Sequence, residues 1–156
     1  MGPSALFAVG DWRDAAHMNA TPTAELEVIS ELECLRLLQH RQVGHLAFVV
    51  GDQPVVLPVN YTVDDGTIIL RTGVGAKLAN APLTKVAFEV DEIDETSREG
   101  WSVVVQGVAQ DITTGIDPSS DRLRSLAPQP WAGGEREHYI RVIPREISGR
   151  RVCDGR

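Results

Sequence analysis

Cysteine is scarce: Cys34 and Cys153 stand far apart in a chain of 156 residues. That leaves neither a disulfide framework nor zinc-ligand spacing, and the usage fits a reducing, cytoplasmic setting. Positive charge is also in deficit, with 15 Lys and Arg against 22 Asp and Glu and a formal net charge of -7. General nucleic-acid binding rests on clustered cations that release counterions from phosphates, so that class is excluded, whereas a local basic pocket for one small anion is not. No apolar run approaches the length of a membrane span, and the opening "MGPSALFAVGDWRDAAHMNA" lacks a basic segment followed by an apolar one, so a cytosolic chain is expected. His17, His40, His45 and His138 show no ligand spacing, and no metal is expected. No serine sits in a Gly-x-Ser-x-Gly elbow, and Cys34 falls inside an apolar helix face, which argues against a nucleophile of the protein's own. If the chain does chemistry, a cofactor carries it.

What is present suits one soluble domain with a real core, since 42% of the residues are hydrophobic. Residues 1–25 mix Gly, Pro, Asn and Thr without a sustained period and read as a mobile arm, leaving 26–156 as the folded domain. "SELECLRLLQH" offers Ser30 as an N-cap, with Glu33 completing a capping box, ahead of Leu35, Leu37 and Leu38. The runs "VGHLAFVV", "PVVLPVNYTV" and "TIILRT" then follow as short β-branched strands, and Asp65-Gly66 marks a tight hairpin. After a short helical piece, "AKLANAP", come the strands "KVAFEVDEI" and "WSVVVQGVAQDIT", separated by an acidic loop that reads as solvated. A helix capped near Asp117 or Ser119 and a final strand, "HYIRVIPREISGR", complete the pattern. The expectation is a mainly β chain with flanking helices, its six or so strands closing wholly or partly into a barrel to remove exposed edges.

The stretch "LRTGVGAKLANAP" is the chemically suggestive one. It is not a Walker loop, because Ala76 precedes Lys77 and Leu78 follows it where a hydroxyl residue is needed. Nor is it a dinucleotide fingerprint, which requires a third glycine at the position of Leu78. Arg71 and Thr72 end a strand, Gly73 and Gly75 allow backbone amides to turn toward one point, and Lys77 opens a helical turn. A phosphate would find amides, a hydroxyl and two cations there; equally, the turn is simply glycine-rich, with its cations in solvent. "PVNY", Pro58 to Tyr61, places a proline in a strand and so implies an edge, a bulge or the end of a ladder, with backbone groups left for a ligand or simply for water. In "GWSVVVQG", Trp101, Val103 and Val105 share one face of a strand, with Ser102 and Gln106 on the other. Trp101 is a core residue or a stacking surface, and Ser102 a polar handle.

These motifs in this order, from "VGHLAFVVGDQPVVLPVNYTVDDGTIILRTGVGAK" through "GWSVVVQGVA", resemble the pyridoxamine 5′-phosphate oxidase-like flavoproteins, over roughly residues 28–112. Within that family the sequence most resembles the small actinobacterial and nitroimidazole-reductase-like branches. It implies a six-stranded antiparallel split β-barrel that forms a homodimer with FMN in a groove between the subunits. By resemblance, Arg71, Thr72 and Lys77 hold the FMN phosphate, while Pro58, Val59, Asn60 and Tyr61 lie along the ring system. Trp101 and Ser102 approach from the other subunit. The C-terminal Arg-x-His element of true pyridoxamine phosphate oxidases has no counterpart after His138, which points away from vitamin B6 oxidation.

The expected function is an FMN-dependent oxidoreductase exchanging hydride with a small substrate or electron donor, with Tyr61 or Ser102 as a proton donor. Two alternatives share the fold. One is a deazaflavin coenzyme, whose acidic tail would call on cations such as Arg98, Arg141 or Arg150. The other is a flavin-binding or storage protein without turnover.

Overall fold

The computed structural model describes residues 24–73, 83–134 and 136–154. The proposed N-terminal arm up to residue 23, the short helical piece "AKLANAP" and Lys77 lie outside them. The elements run β1 (Ala24–Ile29), α1 (Glu31–His40), β2 (Val43–Val50), β3 (Gln53–Asp64), β4 (Thr67–Thr72), β5 (Thr84–Asp94), β6 (Glu99–Asp111), α2 (Pro118–Leu126) and β7 (His138–Asp154). No helix among the described residues is long and apolar enough to cross a membrane.

The strands bond in the order β1-β7-β4-β3-β2-β5-β6, and a further β6–β7 ladder joins the ends. Six antiparallel strands therefore close a ring, and β1 pairs along the outside of the β7 C-terminal half, from Ala24 opposite Asp154 to Ile29 opposite Gly149. The split barrel is as expected, but it has seven strands rather than six. The seventh was hidden because "AELEVI" offers only a brief alternation, and Leu26 and Val28 on it stay 60% and 75% exposed. Its strand geometry comes from pairing with the far end of the chain, which local sequence does not encode.

Alternation along the ring fills the barrel. Ile68 and Leu70 of β4, Phe88 and Val90 of β5, Val103 and Val105 of β6, and Ile140 and Val142 of β7 are all buried. Asp65 (φ 47°) and Gly66 (φ 74°) both take the left-handed turn conformation that the β3–β4 hairpin demands. Helix α1 is capped by Ser30, whose Oγ accepts from the Glu33 amide at 3.3 Å, and it buries Cys34 and Leu38. Its packing against β7 is close: a Cβ on Gly149 would stand 2.5 Å from Cys34 Sγ. The long β6–β7 ladder contains a bulge at Gln106/Gly107, next to Pro144. Gly107 is required there because a Cβ would lie 2.3 Å from the Ile143 carbonyl oxygen. Helix α2, capped by Asp117 with Pro118 behind it, covers the outer face of the sheet through a small cluster of Leu123, Ile69 and Ile112.

Candidate functional site

Strand β4 ends at the two residues singled out as phosphate ligands. Arg71 pairs with Tyr139 and Thr72 with His138 across the β4–β7 ladder. The Arg71 Nε donates to the Arg136 carbonyl at 2.6 Å, and its guanidinium lies 5.3 Å from the centre of the Tyr139 ring. A planar cation held on an aromatic face and tied through Nε is pre-organised, and a guanidinium carries further N–H groups suited to an anion. Thr72 is buried at the barrel mouth, and exposed Gly73 follows it.

Strand β3 runs alongside. It pairs with β2 over Gln53–Asn60 and with β4 from Tyr61 to Asp64. Pro54 and Pro58 therefore fall on the stretch where β3 pairs with β2 alone and β4 is not alongside, an edge of the kind that tolerates proline. Asn60 immediately precedes Tyr61 and Arg71 immediately follows Leu70, these two forming the last antiparallel pair of the β3–β4 ladder, so the edge at Pro58, Val59 and Asn60 and the cationic strand end are neighbours. The loop before β7 ties both: the Trp131 amide donates to Asn60 Oδ1 at 2.9 Å, as the Arg136 carbonyl accepts from Arg71. Asn60 Nδ2 in turn donates to the Gln42 carbonyl at 3.3 Å.

Tyr61 is placed differently from its neighbours. It is 3% exposed, meets Phe88 edge to face at 4.9 Å, and donates its hydroxyl to the Leu38 carbonyl at 2.6 Å. Burial pushes its phenol well above the ordinary value. It ties α1 to the barrel and is not positioned as a proton donor to a surface site.

Trp101 and Ser102 lie elsewhere. They line an open groove of about 470 Å³ with Leu26, Ile93, Arg150 and Val152. Ser102 is opposite Asp91 on β5 and Arg150 on β7. Of the cations considered for an acidic tail, Arg98 and Arg150 line this groove, but so do Asp94, Glu95 and Glu99. Arg141 is remote from it, with Nε donating to Gln110 Oε1 at 2.8 Å. Strand β7 measures the separation of the two sites, because Tyr139 meets Arg71 and Arg151 meets Trp101. Those partners are 151 − 139 = 12 residues apart. At ~3.3 Å per residue that is a strand contour of ~40 Å. One protomer does not bring the two halves of the candidate site together.

A pair missed by sequence reasoning sits at the strand end: His138 Nδ1 lies 3.0 Å from Asp111 Oδ2. Asp111 Oδ1 accepts from the Thr113 amide at 2.7 Å, and the Tyr139 amide donates to Thr113 Oγ1 at 2.9 Å. Burial alone would raise the Asp111 carboxyl, but the bonds from Thr113 and His138 outweigh it and hold the group below the ordinary carboxylate range. Only the β6–β7 pairing unites these residues, so no local motif announces them. Among the described residues no cluster of three His, Cys, Asp or Glu side chains is arranged to hold a metal.

Comparison with known proteins gives a consistent result. The family model described as pyridoxamine 5′-phosphate oxidase matches residues 30–151. A Mycobacterium tuberculosis protein of uncharacterized function is 32% identical over 142 residues, 85% of this chain and 91% of its own. A Corynebacterium glutamicum structure, described as a candidate pyridoxamine 5′-phosphate oxidase, superposes with a TM-score of 0.69 at 32% identity, covering 81% of this chain and 98% of that one. A Mycobacterium smegmatis structure described as a FAD binding protein superposes at 0.58 and 30% identity, over 81% and 98% of the two chains.

Proposed function

The chain belongs to the pyridoxamine 5′-phosphate oxidase family, and from that premise we propose that it is a flavin-binding protein, with FMN as its cofactor and two copies of the chain completing the site. The observation that carries this reading is the end of β4, where Arg71 is held on Tyr139 and by the Arg136 carbonyl beside buried Thr72. These residues fit a phosphate seated beyond the strand end: a fixed guanidinium on one face, a hydroxyl residue on the other, and a glycine that opens the following turn. The adjoining edge at Pro58, Val59 and Asn60 runs from that point along β3 and suits the polar rim of a flat ring. Trp101 and Ser102, a β7 length away, reach the same ligand only from a second copy. Lys77, outside the described residues, is assigned to the phosphate on its sequence position alone. The relative described as FAD-binding supports the flavin class.

When bound, the flavin supplies the reversible two-electron chemistry that none of the chain's own side chains provides. The protein's part is to fix the phosphate through Arg71 and Thr72, to present an apolar wall at Trp101, and to offer the Ser102 hydroxyl between Asp91 and Arg150 as a proton source. The activity proposed is an oxidoreductase that passes hydride between the flavin and a small substrate.

The deciding experiment is a visible absorption spectrum of the purified protein, repeated after adding FMN and removing the excess by gel filtration. Retained flavin bands support the reading. A colourless protein that refuses FMN yet retains a deazaflavin coenzyme or haem overturns it.

A further inference from the structure

The Asp111–His138 pair stands at the strand end just assigned to the phosphate, yet no role has been given to it. We propose that His138 is a further anion-positioning residue of this site, oriented by Asp111 so that its Nε2 donates to the ligand's phosphate when the ring is protonated. The inference rests on the flavin reading and adds to it a residue and a pH dependence.

The tautomer follows from the bonding. Asp111 is an ionised acceptor at neutral pH, so the proton shared across the 3.0 Å contact belongs to His138 Nδ1. Nε2 is then an acceptor in the neutral ring and becomes a donor only in the imidazolium. His138 is directly opposite Thr72, and directly paired residues on neighbouring strands direct their side chains to the same face. The pair remains open to a ligand, since the His138 and Asp111 side chains keep 33% and 22% of their exposure. Asp111 is itself fixed by the Thr113 amide, and Thr113 by the Tyr139 amide, so the imidazole is held in a chain of bonds rather than left as a loose surface group.

The charged surroundings are mixed. From β6 the group facing His138 is Asp111. Arg71 on β4 is directed to the opposite face from Thr72, over Tyr139, and so does not face His138. Arg136, Glu137 and Tyr139 flank it along the chain, and on β5 Lys85 alternates away from buried Val86. A phosphate seated beyond the strand end, reached by Arg71 from one face, gains a cation on the Thr72 face when the imidazole takes up a proton.

Protonation of an imidazole and loss of the second proton of a phosphate monoester both fall in the range scanned, so wild-type affinity alone mixes two effects. The ratio of dissociation constants between His138→Gln and wild type isolates the ring. The test is a fluorescence titration of FMN and of riboflavin, which lacks the phosphate, across the range in which histidine titrates. Both ligands are run against wild type, His138→Gln and Asp111→Asn. The expected FMN ratio is about tenfold at the acid end, the scale of one charge-assisted hydrogen bond, and falls toward unity at the alkaline end. Riboflavin should show a flat ratio near one. Asp111→Asn, which frees the ring from its required tautomer, should move the FMN curve toward that of His138→Gln. Parallel FMN curves for all three proteins overturn the assignment while leaving the flavin reading intact. An equal loss for riboflavin also overturns it and gives the pair a purely structural role at the β6–β7 end. A wild-type protein that holds no FMN at any pH removes the flavin reading and this inference with it.

Discussion

Arg71 combines three contacts in one side chain: the Arg136 carbonyl, the Tyr139 ring and, in the proposed function, a phosphate. Arg71→Ala removes the last of these and should weaken FMN binding by about 1.5–3 kcal/mol, the range for a hydrogen bond to a charged group. Arg71→Lys keeps the charge but loses the planar fork, so an intermediate loss is expected. Riboflavin affinity, measured in the same titration, should hardly change; an equal loss for both ligands would assign Arg71 to the scaffold alone. Tyr61 gives the opposite expectation. Its hydroxyl is committed to the Leu38 carbonyl in a buried setting, so Tyr61→Phe should cost about 1–3 kcal/mol in urea unfolding by leaving that acceptor unsatisfied. Retained flavin should be unaffected, and a large loss of flavin with unchanged stability would return Tyr61 to the site. Gly149→Ala is a packing test of the α1–β7 contact, because the new methyl would meet Cys34 Sγ at 2.5 Å. Overpacking of this kind costs roughly 1–3 kcal/mol, and Cys34→Ala in the same chain should recover part of it.

At the scale of elements, α2 carries a pH signature. Asp117 accepts from the Ser119 hydroxyl and from the Ser120 amide and hydroxyl, and these bonds hold its carboxyl far below the ordinary carboxylate range. A depressed carboxyl contributes stability that is complete above its unfolded value of ~3.9 and is lost as the pH falls through the folded one. Asp117→Asn keeps a capping side chain but not the charge, so its melting temperature should fall below wild type at neutral pH and converge with it in acid. A gap that is constant down to the acid limit would remove the charge from the explanation. The cap itself was legible in "DPSSDRLRSL", as were Ser30 and the Asp65-Gly66 hairpin, because capping and turn chemistry act within four residues. The inner strands were legible because alternation survives wherever one face is buried. Strand β1 was not, since its exposed Leu26 and Val28 gain their geometry from pairing with β7. The same division runs through the site. The sequence singled out Arg71 and Thr72 by a motif, but the Arg136 carbonyl, the Trp131 amide and the Asp111–His138 pair reach the site from β6, β7 and the loop before β7. Tyr61 was placed with Pro58, Val59 and Asn60 by resemblance, although the alternation of a strand sends consecutive side chains to opposite faces and its hydroxyl is committed to the Leu38 carbonyl.

For the whole molecule the decisive quantity is the separation along β7. With Arg71 at one end and Trp101 at the other, a contour of ~40 Å divides residues that the flavin reading requires on one ligand. In the proposed dimer a twofold axis that set each strand end against the partner's groove would remove the conflict and form two equivalent sites together. The surface agrees with this arrangement: the groove beside Trp101 is walled by Leu26 and by Ile93, which is 66% exposed, in a chain whose net charge of -7 otherwise favours solvation. Apolar surface of that kind on a rim of charged residues suits a partner. Ile93→Asp places a charge in the wall without disturbing the barrel core, so the unfolding transition of the protomer should be nearly unchanged. Its sedimentation should shift toward monomer, and bound FMN should be released at protein concentrations where wild type retains it. In wild type, dilution should release flavin in step with dimer dissociation. A monomeric Ile93→Asp protein that holds FMN as tightly as wild type would confine the site to one protomer, and Trp101 and Ser102 would then have no part in it.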